Sequence, residues 1–168
     1  SINPRKNLTN VIQAFERIAE NREINLVLAG GLGWDTGSEL DIISRSPCAH
    51  RIFRTGFVSD EQLRALYRGA AAFVYASFME GFGLPILEAM ACGCPVITSN
   101  LSSMPEVAGD VGLLVDPHDV EDIATAMHDM AENDAERNKL SEQGIERARA
   151  FSWDKTARSM LNAYDDVY

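Results

Sequence analysis

The sequence has no apolar run that approaches the roughly 18 residues of a membrane-spanning helix. The opening segment, SINPRKN, contains no apolar core, so it does not resemble a secretory signal peptide. We therefore predict a protein with no integral membrane segment. We expect it in the cytoplasm, with any membrane association being peripheral and made through a larger parent protein.

Basic residues are scarce as well. Lys and Arg together number 15 and Asp and Glu 25, which gives a formal net charge of −10. A protein that binds nucleic acid normally presents a basic face, so we predict no nucleic-acid partner. The acidity does not exclude a phosphate ligand, because a phosphate site depends on a few local groups.

Cysteine is rare and does not form a recognisable framework. The three residues Cys48, Cys92 and Cys94 are odd in number, which favours reduced thiols in a cytosolic setting. Cys92 and Cys94 are closer together than the cysteines of a CxxC redox motif, and we interpret them as small packing residues. The histidines show no metal-ligand spacing, so we predict neither a metal nor a cofactor.

A regular alternation of apolar strands and amphipathic helices is present instead. The apolar runs predict strands at residues 24–29, 51–56, 71–75, 95–98 and 112–115. Helical periodicity and capping signals predict helices at residues 7–20, within 33–45, and at 59–68, 84–92, 118–131, 134–150 and 152–166. This order is typical of an α/β fold with an open parallel sheet and helices on both faces, in one domain over residues 1–168.

The beginning of the chain departs from this pattern. A sheet of this kind normally opens with a strand, yet only Ser1, Ile2 and Asn3 precede Pro4. We therefore expect the chain to begin inside a larger protein, with its first strand missing or cut short.

The most informative segment runs from Ser77 to Ser99 and contains EGFGLPILEAMACGCPVITS. It follows a predicted strand, and ligands of open α/β sheets bind at the carboxyl ends of strands. Gly81 and Gly83 have no Cβ, so a ligand can approach the backbone. Pro85 suits the first turn of a helix, whose free N–H groups favour an anion such as a diphosphate.

Two glutamates in this segment are candidates for binding ligand hydroxyls. Glu88 lies on a helix that is apolar almost all round, so we predict that it is buried and needs hydrogen-bond donors such as ribose hydroxyls. Backbone or serine donors are the structural alternative. Glu80 lies in the preceding loop, and its alternative is a surface carboxylate favoured by the helix N-terminus. Eight helical residues span about 12 Å, which does not favour a hydrolytic pair of carboxylates.

The wording of this segment resembles the retaining GT-B glycosyltransferases of the family-4 "group 1" type, in which Glu80 and Glu88 would form the E-x7-E motif. Several further segments resemble short sequence motifs of that family and occur in the same order along the chain. They are PRKN at 4–7, GFV at 56–58, PEVAG at 105–109 and LVDP at 114–117.

The resemblance implies a Rossmann-like C-terminal half of a GT-B fold that binds a nucleotide-sugar donor. The N-terminal domain, which would bind a glycan or lipid-linked acceptor, would be absent, so we expect the chain alone to be inactive. GDP-mannose is slightly favoured as the donor. The resemblance further implies transfer with retention, without a metal or a protein nucleophile.

Site roles follow from the resemblance. Arg5 and Lys6 would meet the diphosphate and, with Glu80, form the catalytic set, although a solvated helix start is the alternative for both cations. Many relatives carry a further arginine at the position of Ser1. Glu80 would bind hydroxyls of the donor sugar.

The remaining donor contacts would come from the base-binding stretch and the loop before the helix. Phe57 and Val58 would receive the base, with core packing as the alternative. Backbone groups would contact sugar and phosphate at Gly81, Phe82, Gly83 and Leu84.

Two other functions remain open from the sequence. A nucleotide-sugar-binding module without catalytic activity would carry the same donor site. An NAD-dependent Rossmann enzyme would share the fold, but the glycines at 30, 31 and 33 lack the full spacing of the dinucleotide fingerprint.

Overall fold

A computed structural model of the protein describes residues 3–20, 22–31, 33 and 37–165. The described strands are β1 Leu26–Ala29, β2 Ile52–Gly56, β3 Phe73–Tyr75, β4 Val96–Ser99 and β5 Leu113–Val115. The described α-helices are α1 Leu8–Ala19, α2 Gly37–Arg45, α3 Asp60–Gly69, α4 Leu84–Ala91, α5 Met104–Ala108, α6 Val120–Glu132, α7 Asp134–Arg149 and α8 Trp153–Asp165. Short 3₁₀ turns occur at Pro4–Lys6, Ala49–Arg51 and Gly109–Val111.

All the strand pairs are parallel, which confirms the predicted α/β class. β1 pairs with β2, starting from Leu26 opposite Ile52. β4 lies between β3 and β5 in a second group. Among the described residues no ladder of hydrogen bonds joins β1 to β3, so the predicted sheet is divided into these two groups.

Helices cover both faces of the β3–β4–β5 group, as the alternation along β4 shows. Val96 packs into a cluster formed with α3, α4 and α5. Its neighbour Ile97 packs into the other cluster, which contains the apolar faces of α1 and α6. Successive strand side chains point to opposite faces, so two residues of one strand serve two cores.

Most predicted elements are confirmed to within a few residues at their ends. The capping box of α3 is present, with Ser59 and Gln62 each bonding the other's backbone N–H. α5 was not predicted, because five residues are too few to show a helical period. The prediction that β1 is fully buried was wrong: Leu28 is buried, whereas Val27 is 44% exposed.

Asn7 joins three separate parts of the fold. It ends the Pro4–Lys6 turn in a left-handed conformation, with φ 57° and ψ 36°, and precedes α1. Its Nδ2 donates to the carbonyl oxygens of Ala76, at 3.0 Å, and Pro117, at 2.7 Å. Because these carbonyls follow β3 and β5, one buried amide fixes the first turn against the carboxyl ends of two strands.

We expect Asn7→Ala to lower the free energy of unfolding by about 2–4 kcal/mol. The substitution removes two buried hydrogen bonds and places a Cβ-bearing residue without local polar support in the left-handed region. Asn10→Ala is the matched control, because Asn10 donates only one bond, to the same Pro117 oxygen. Urea denaturation of both variants measures the difference, and equal losses would contradict the role given to Asn7.

Candidate functional site

The loop between β3 and α4 lies at the carboxyl end of a parallel strand, as predicted. Gly83 is the N-cap of α4 and has a φ of 104°, and no side chain caps the helix. Within the described part of the chain, the backbone N–H groups of residues 81–84 donate no hydrogen bond. The start of α4 therefore has donors available for an anion, together with the positive end of the helix dipole.

The two glycines of this loop are present for different reasons. Gly83 has a φ that favours glycine, and an added Cβ would lie 3.1 Å from Cδ1 of Ile86. Gly81 has no such constraint, since an added Cβ would meet nothing within 4 Å. The fold requires glycine at 83 but not at 81, and the role of Gly81 in leaving space for a ligand stays a prediction.

The structure brings together three of the predicted site residues, Arg5, Lys6 and Glu80. Lys6 Nζ lies 2.7 Å from Glu80 Oε1, and Arg5 Nη2 lies 3.6 Å from Glu80 Oε2. The Arg5 carbonyl accepts a hydrogen bond from the Phe78 N–H at 3.0 Å, which holds the turn against the loop. The two cations are therefore not a freely solvated helix start, because both contact the carboxylate.

The carboxylate of Glu80 is held in its charged form. Its side chain is only 9% exposed, and burial raises its pKa. The hydrogen bond from Lys6, the buried hydroxyl of Ser77, the positive charge of Lys6 and the hydroxyl of Tyr75 outweigh burial. The net effect lowers the pKa of Glu80 below its ordinary value. The interpretation of Glu80 as a simple surface carboxylate is wrong.

Two serines fix the backbone of Glu80, and neither of them was predicted from the sequence. Ser102 Oγ donates to the Glu80 carbonyl at 2.7 Å, and Ser103 Oγ donates to the same oxygen at 3.0 Å. Ser103 Oγ also lies 2.9 Å from the Phe82 carbonyl. Nothing in the pattern of the sequence links this serine pair to a loop some 22 residues earlier.

Glu88 is exposed, which corrects the prediction of a buried carboxylate. α4 buries Ile86, Ala89 and Met90, but a stripe containing Leu84, Glu88 and Ala91 is open. An apolar composition does not bury a helix whose outer face has no neighbour within the described residues. Burial and the nearby charge of Glu88 both raise the pKa of Tyr67 on α3. No ion pair or hydrogen bond among the described residues links it to Arg5, Lys6 or Glu80.

The predicted base-binding residues follow β2 at its carboxyl end. Phe57 is 90% exposed, so the alternative that it packs in the core is wrong, whereas Val58 is partly buried. Phe82 is 43% exposed and meets the ring of Phe151 edge-on at 6.1 Å between centroids. Leu84 is 47% exposed. These side chains remain available to a ligand or to another part of a protein.

The cysteines behave as packing residues. None forms a disulfide, and burial raises the pKa of the Cys94 thiol to about 12. In the part of the chain that the structure describes, no three His, Cys, Asp or Glu side chains are grouped as metal ligands would be. Nor do those residues include a helix with the length and apolarity to cross a membrane.

The ionised Glu80 should make a pH-dependent contribution to stability. Because its pKa is lower in the folded chain than the ordinary value of about 4.3, that contribution is present above this value and is lost as the pH falls through the folded-state pKa. We expect the stability difference between the wild type and Glu80→Gln to shrink as the pH falls from 7 towards 3. Urea denaturation of both proteins at several pH values in this range measures that difference.

Lys6→Gln supplies the control for that experiment. Lys6 provides the hydrogen bond that lowers the pKa of Glu80 most. The pH-dependent part of the Glu80 contribution to stability should therefore be smaller in a Lys6→Gln background. An unchanged pH dependence in that background would contradict the assignment.

Comparison with known proteins identifies relatives of the whole chain. The family model described as "Glycosyl transferases group 1" matches residues 1–147. The O-antigen chain mannosyltransferase B of Escherichia coli is 40% identical over 166 residues, which cover 98% of this chain and 44% of that protein.

Solved structures agree with this match. Sucrose-phosphate synthase from Thermosynechococcus elongatus has 29% identity and a TM-score of 0.85, over 98% of this chain and 43% of that one. HepE from Anabaena, in complex with UDP and glucose, has 20% identity and a TM-score of 0.86, over 98% and 46%. The latter likeness shows the fold alone.

The chain spans less than half the length of each of these proteins. The family match nevertheless covers most of the chain and includes the motif of Glu80 and Glu88. It confirms the resemblance seen in the sequence. The chain belongs to the group 1 glycosyl transferases.

Proposed function

We propose that this chain is the donor-binding domain of a retaining glycosyltransferase. The enzyme would transfer a sugar from a nucleoside-diphosphate sugar to a carbohydrate or lipid acceptor. The observation that carries the proposal is the meeting of Arg5, Lys6 and Glu80 beside the uncapped start of α4. Cations, free N–H groups and a charged acceptor of hydrogen bonds are what a sugar diphosphate needs.

The diphosphate would lie at the start of α4, against the N–H groups of residues 82–84. When the bond between the sugar and the diphosphate breaks, negative charge grows on the departing phosphate oxygen. Lys6, Arg5 and the helix N-terminus would stabilise that charge. Lys6 would leave Glu80 to do so, since its ammonium now lies 2.7 Å from that carboxylate.

The two glutamates would bind different parts of the donor. Glu80 lies in the loop beside the cations, so it would accept hydrogen bonds from hydroxyls of the transferred sugar. Glu88 is on the open stripe of α4, beyond the diphosphate, and would accept bonds from the ribose. Phe57 and Val58, which follow β2 at its carboxyl end, would contact the base.

The name of one relative favours mannose as the sugar, because the Escherichia coli protein that is 40% identical is called a mannosyltransferase. GDP-mannose is therefore the first donor to test. The acceptor would bind to a domain outside this chain, so we expect donor binding without transfer. Membership of the glycosyl transferases leaves no observation in favour of an NAD-dependent enzyme.

Calorimetric titration tests the proposal directly. The wild-type chain should bind GDP and GDP-mannose, or UDP and a UDP-sugar, and should not bind NAD. Binding of NAD alone would overturn the proposal. Turnover of donor and acceptor by this chain alone would contradict the assignment of the acceptor site to another domain.

The cations should matter for the diphosphate and not for the nucleoside. We expect Arg5→Ala combined with Lys6→Ala to weaken nucleoside-diphosphate binding by about 2–5 kcal/mol, since charge-assisted hydrogen bonds contribute about 1.5–3 kcal/mol each. Nucleoside affinity should be unchanged. Arg17→Ala is the matched control, because Arg17 is a cation of α1 paired with Glu121 on the surface. Equal losses for diphosphate and nucleoside would mean that Arg5 and Lys6 only support the fold.

The glutamates should divide between nucleotide and sugar. We expect Glu88→Gln to weaken nucleoside-diphosphate binding by about 1–3 kcal/mol, through the loss of a charged acceptor. Because Glu88 is exposed, its replacement should change stability by less than about 0.5 kcal/mol. Glu80→Gln should leave the nucleoside diphosphate bound and weaken the intact donor.

Glu142→Gln, an exposed glutamate on α7, controls for the loss of one negative charge. Calorimetry on the three variants, with diphosphate and with intact donor, decides between the assignments. Equal weakening of both ligands by Glu80→Gln would refute the division. So would a Glu88→Gln variant that loses thermal stability but keeps its affinity.

A further inference from the structure

Three aromatic side chains form a row that runs from α3 to β3, near the two glutamates of the motif. Tyr67, from α3, meets Phe73 edge-on at 5.1 Å between ring centroids. Phe73 stacks on Tyr75, two residues along β3, at 5.5 Å and 27°. Tyr67 and Tyr75 are 6% and 9% exposed, so packing fixes the positions of both rings. We call Tyr67, Phe73 and Tyr75 the aromatic row.

The two ends of the aromatic row lie near different glutamates. The Tyr75 hydroxyl accepts a hydrogen bond from Lys6 Nζ, and the same ammonium donates to Glu80 Oε1 at 2.7 Å, so the hydroxyl and the carboxylate meet at one cation. At the other end, burial and the nearby charge of Glu88 raise the pKa of the Tyr67 hydroxyl. One packed set of rings thus carries a hydroxyl at each end, one sharing Lys6 with Glu80 and one near Glu88.

Tyr75 is a hydrogen-bond donor throughout the neutral range. Burial raises its pKa well above the ordinary value, and the charge of Glu80 raises it further. The Lys6 ammonium also lies 4.3 Å from the centroid of the Tyr75 ring, so the tyrosine supports Lys6 through both its ring and its oxygen.

The importance of this donor depends on what happens to Glu80 when a ligand arrives. The groups that face the carboxylate are Arg5 and Lys6 from the first turn, Tyr75 from β3 and Ser77 after it. If Lys6 moves to a diphosphate, Glu80 loses its shortest ion pair while remaining largely buried. Arg5 is half exposed and farther away. The buried donors left near the carboxylate are then the Tyr75 hydroxyl, freed by Lys6, and the Ser77 hydroxyl, which has no hydrogen-bond partner within the described residues.

We propose that Tyr75 is a positioning residue: when Lys6 turns to the diphosphate, the Tyr75 hydroxyl that it leaves donates to Glu80 and keeps the carboxylate in place. Glu80 can then accept hydrogen bonds from the sugar in a fixed geometry. Tyr75 would act through Glu80 and Lys6 and would not itself touch the sugar. This inference rests on the proposed function, because it requires a donor that takes Lys6 and presents hydroxyls to Glu80.

Tyr75→Phe tests the proposal, because it removes the hydroxyl and keeps the ring in the aromatic row. We expect the dissociation constant of GDP-mannose to rise about tenfold relative to that of GDP, as for one lost hydrogen bond to a charged group. The affinity for GDP should change by less than about threefold. The UDP pair replaces these probes if the wild-type chain prefers it.

The pH profile supplies a readout that a merely structural role would not move. Loss of a donor that lowers the pKa of Glu80 should let the carboxylate protonate at a higher pH. The donor affinity of Tyr75→Phe should therefore begin to fall at a higher pH than that of the wild type as the solution is acidified. In a Glu80→Gln background, Tyr75→Phe should have no further effect on the ratio of the GDP-mannose dissociation constant to the GDP dissociation constant.

Tyr67→Phe is the matched control, since it removes the hydroxyl at the other end of the aromatic row. It should weaken the binding of GDP and of GDP-mannose by the same factor and leave the ratio of their dissociation constants unchanged. If Tyr75→Phe does not fold, Ser77→Ala removes the neighbouring hydroxyl and should shift the ratio in the same direction.

The outcomes separate the two proposals. A wild-type chain that binds neither probe pair overturns the proposed function and this inference with it. A wild-type chain that binds both, with an unchanged ratio and pH profile in Tyr75→Phe and in Ser77→Ala, overturns only the role of Tyr75. A shifted ratio in Tyr67→Phe of the same size would likewise refute it, because the effect would then belong to the row's packing.

Discussion

The two hydrogen bonds of the Asn7 amide are the constraint on which the site depends. They join the first turn to the carbonyls that follow β3 and β5, so the strand ends and the turn share one fixed point. Lys6 immediately precedes Asn7, so these bonds help to hold its ammonium within 2.7 Å of Glu80, together with the bond from the Phe78 N–H to the Arg5 carbonyl. A residue that the sequence offers as an ordinary helix start thus determines where two positive charges lie in a chain of net charge −10.

The ion pair between Lys6 and Glu80 then sets the chemical character of the site. Neither group is fully solvated, and each satisfies the other at 2.7 Å. A ligand that takes one partner must supply something for the second, since an unpaired charge is costly when largely buried. A phosphate and a set of hydroxyls in one molecule meet both demands. On the proposed assignment, the ion pair is thus a reason why an intact sugar diphosphate fits the site better than either half.

The sequence predicts local features of this fold well and its tertiary contacts poorly. The strands, most helices and the capping box of Ser59 follow from periodicity and short-range chemistry, and the structure confirms them. Burial of Glu88 was predicted from the composition of α4, but exposure depends on which helix faces have neighbours. Glu80 contacts Lys6, 74 residues earlier, and Ser102, 22 residues later, and no pattern along a single segment signals either contact.

The support of Glu80 by the rest of the fold explains how its side chain can exchange partners without moving the loop. Its carbonyl accepts bonds from Ser102 and Ser103, so the backbone is fixed independently of the carboxylate. Ser102 itself has a φ of 58°, a conformation that a non-glycine residue adopts only when its surroundings hold it. The side chain, in turn, shares the Lys6 ammonium with the hydroxyl of Tyr75, whose ring is packed in a core cluster. On the proposed assignment, with backbone and side chain held from separate directions, replacing Lys6 by ligand hydroxyls would require only a local rotation of one lysine, and a site organised in this way would lose little conformational entropy on binding.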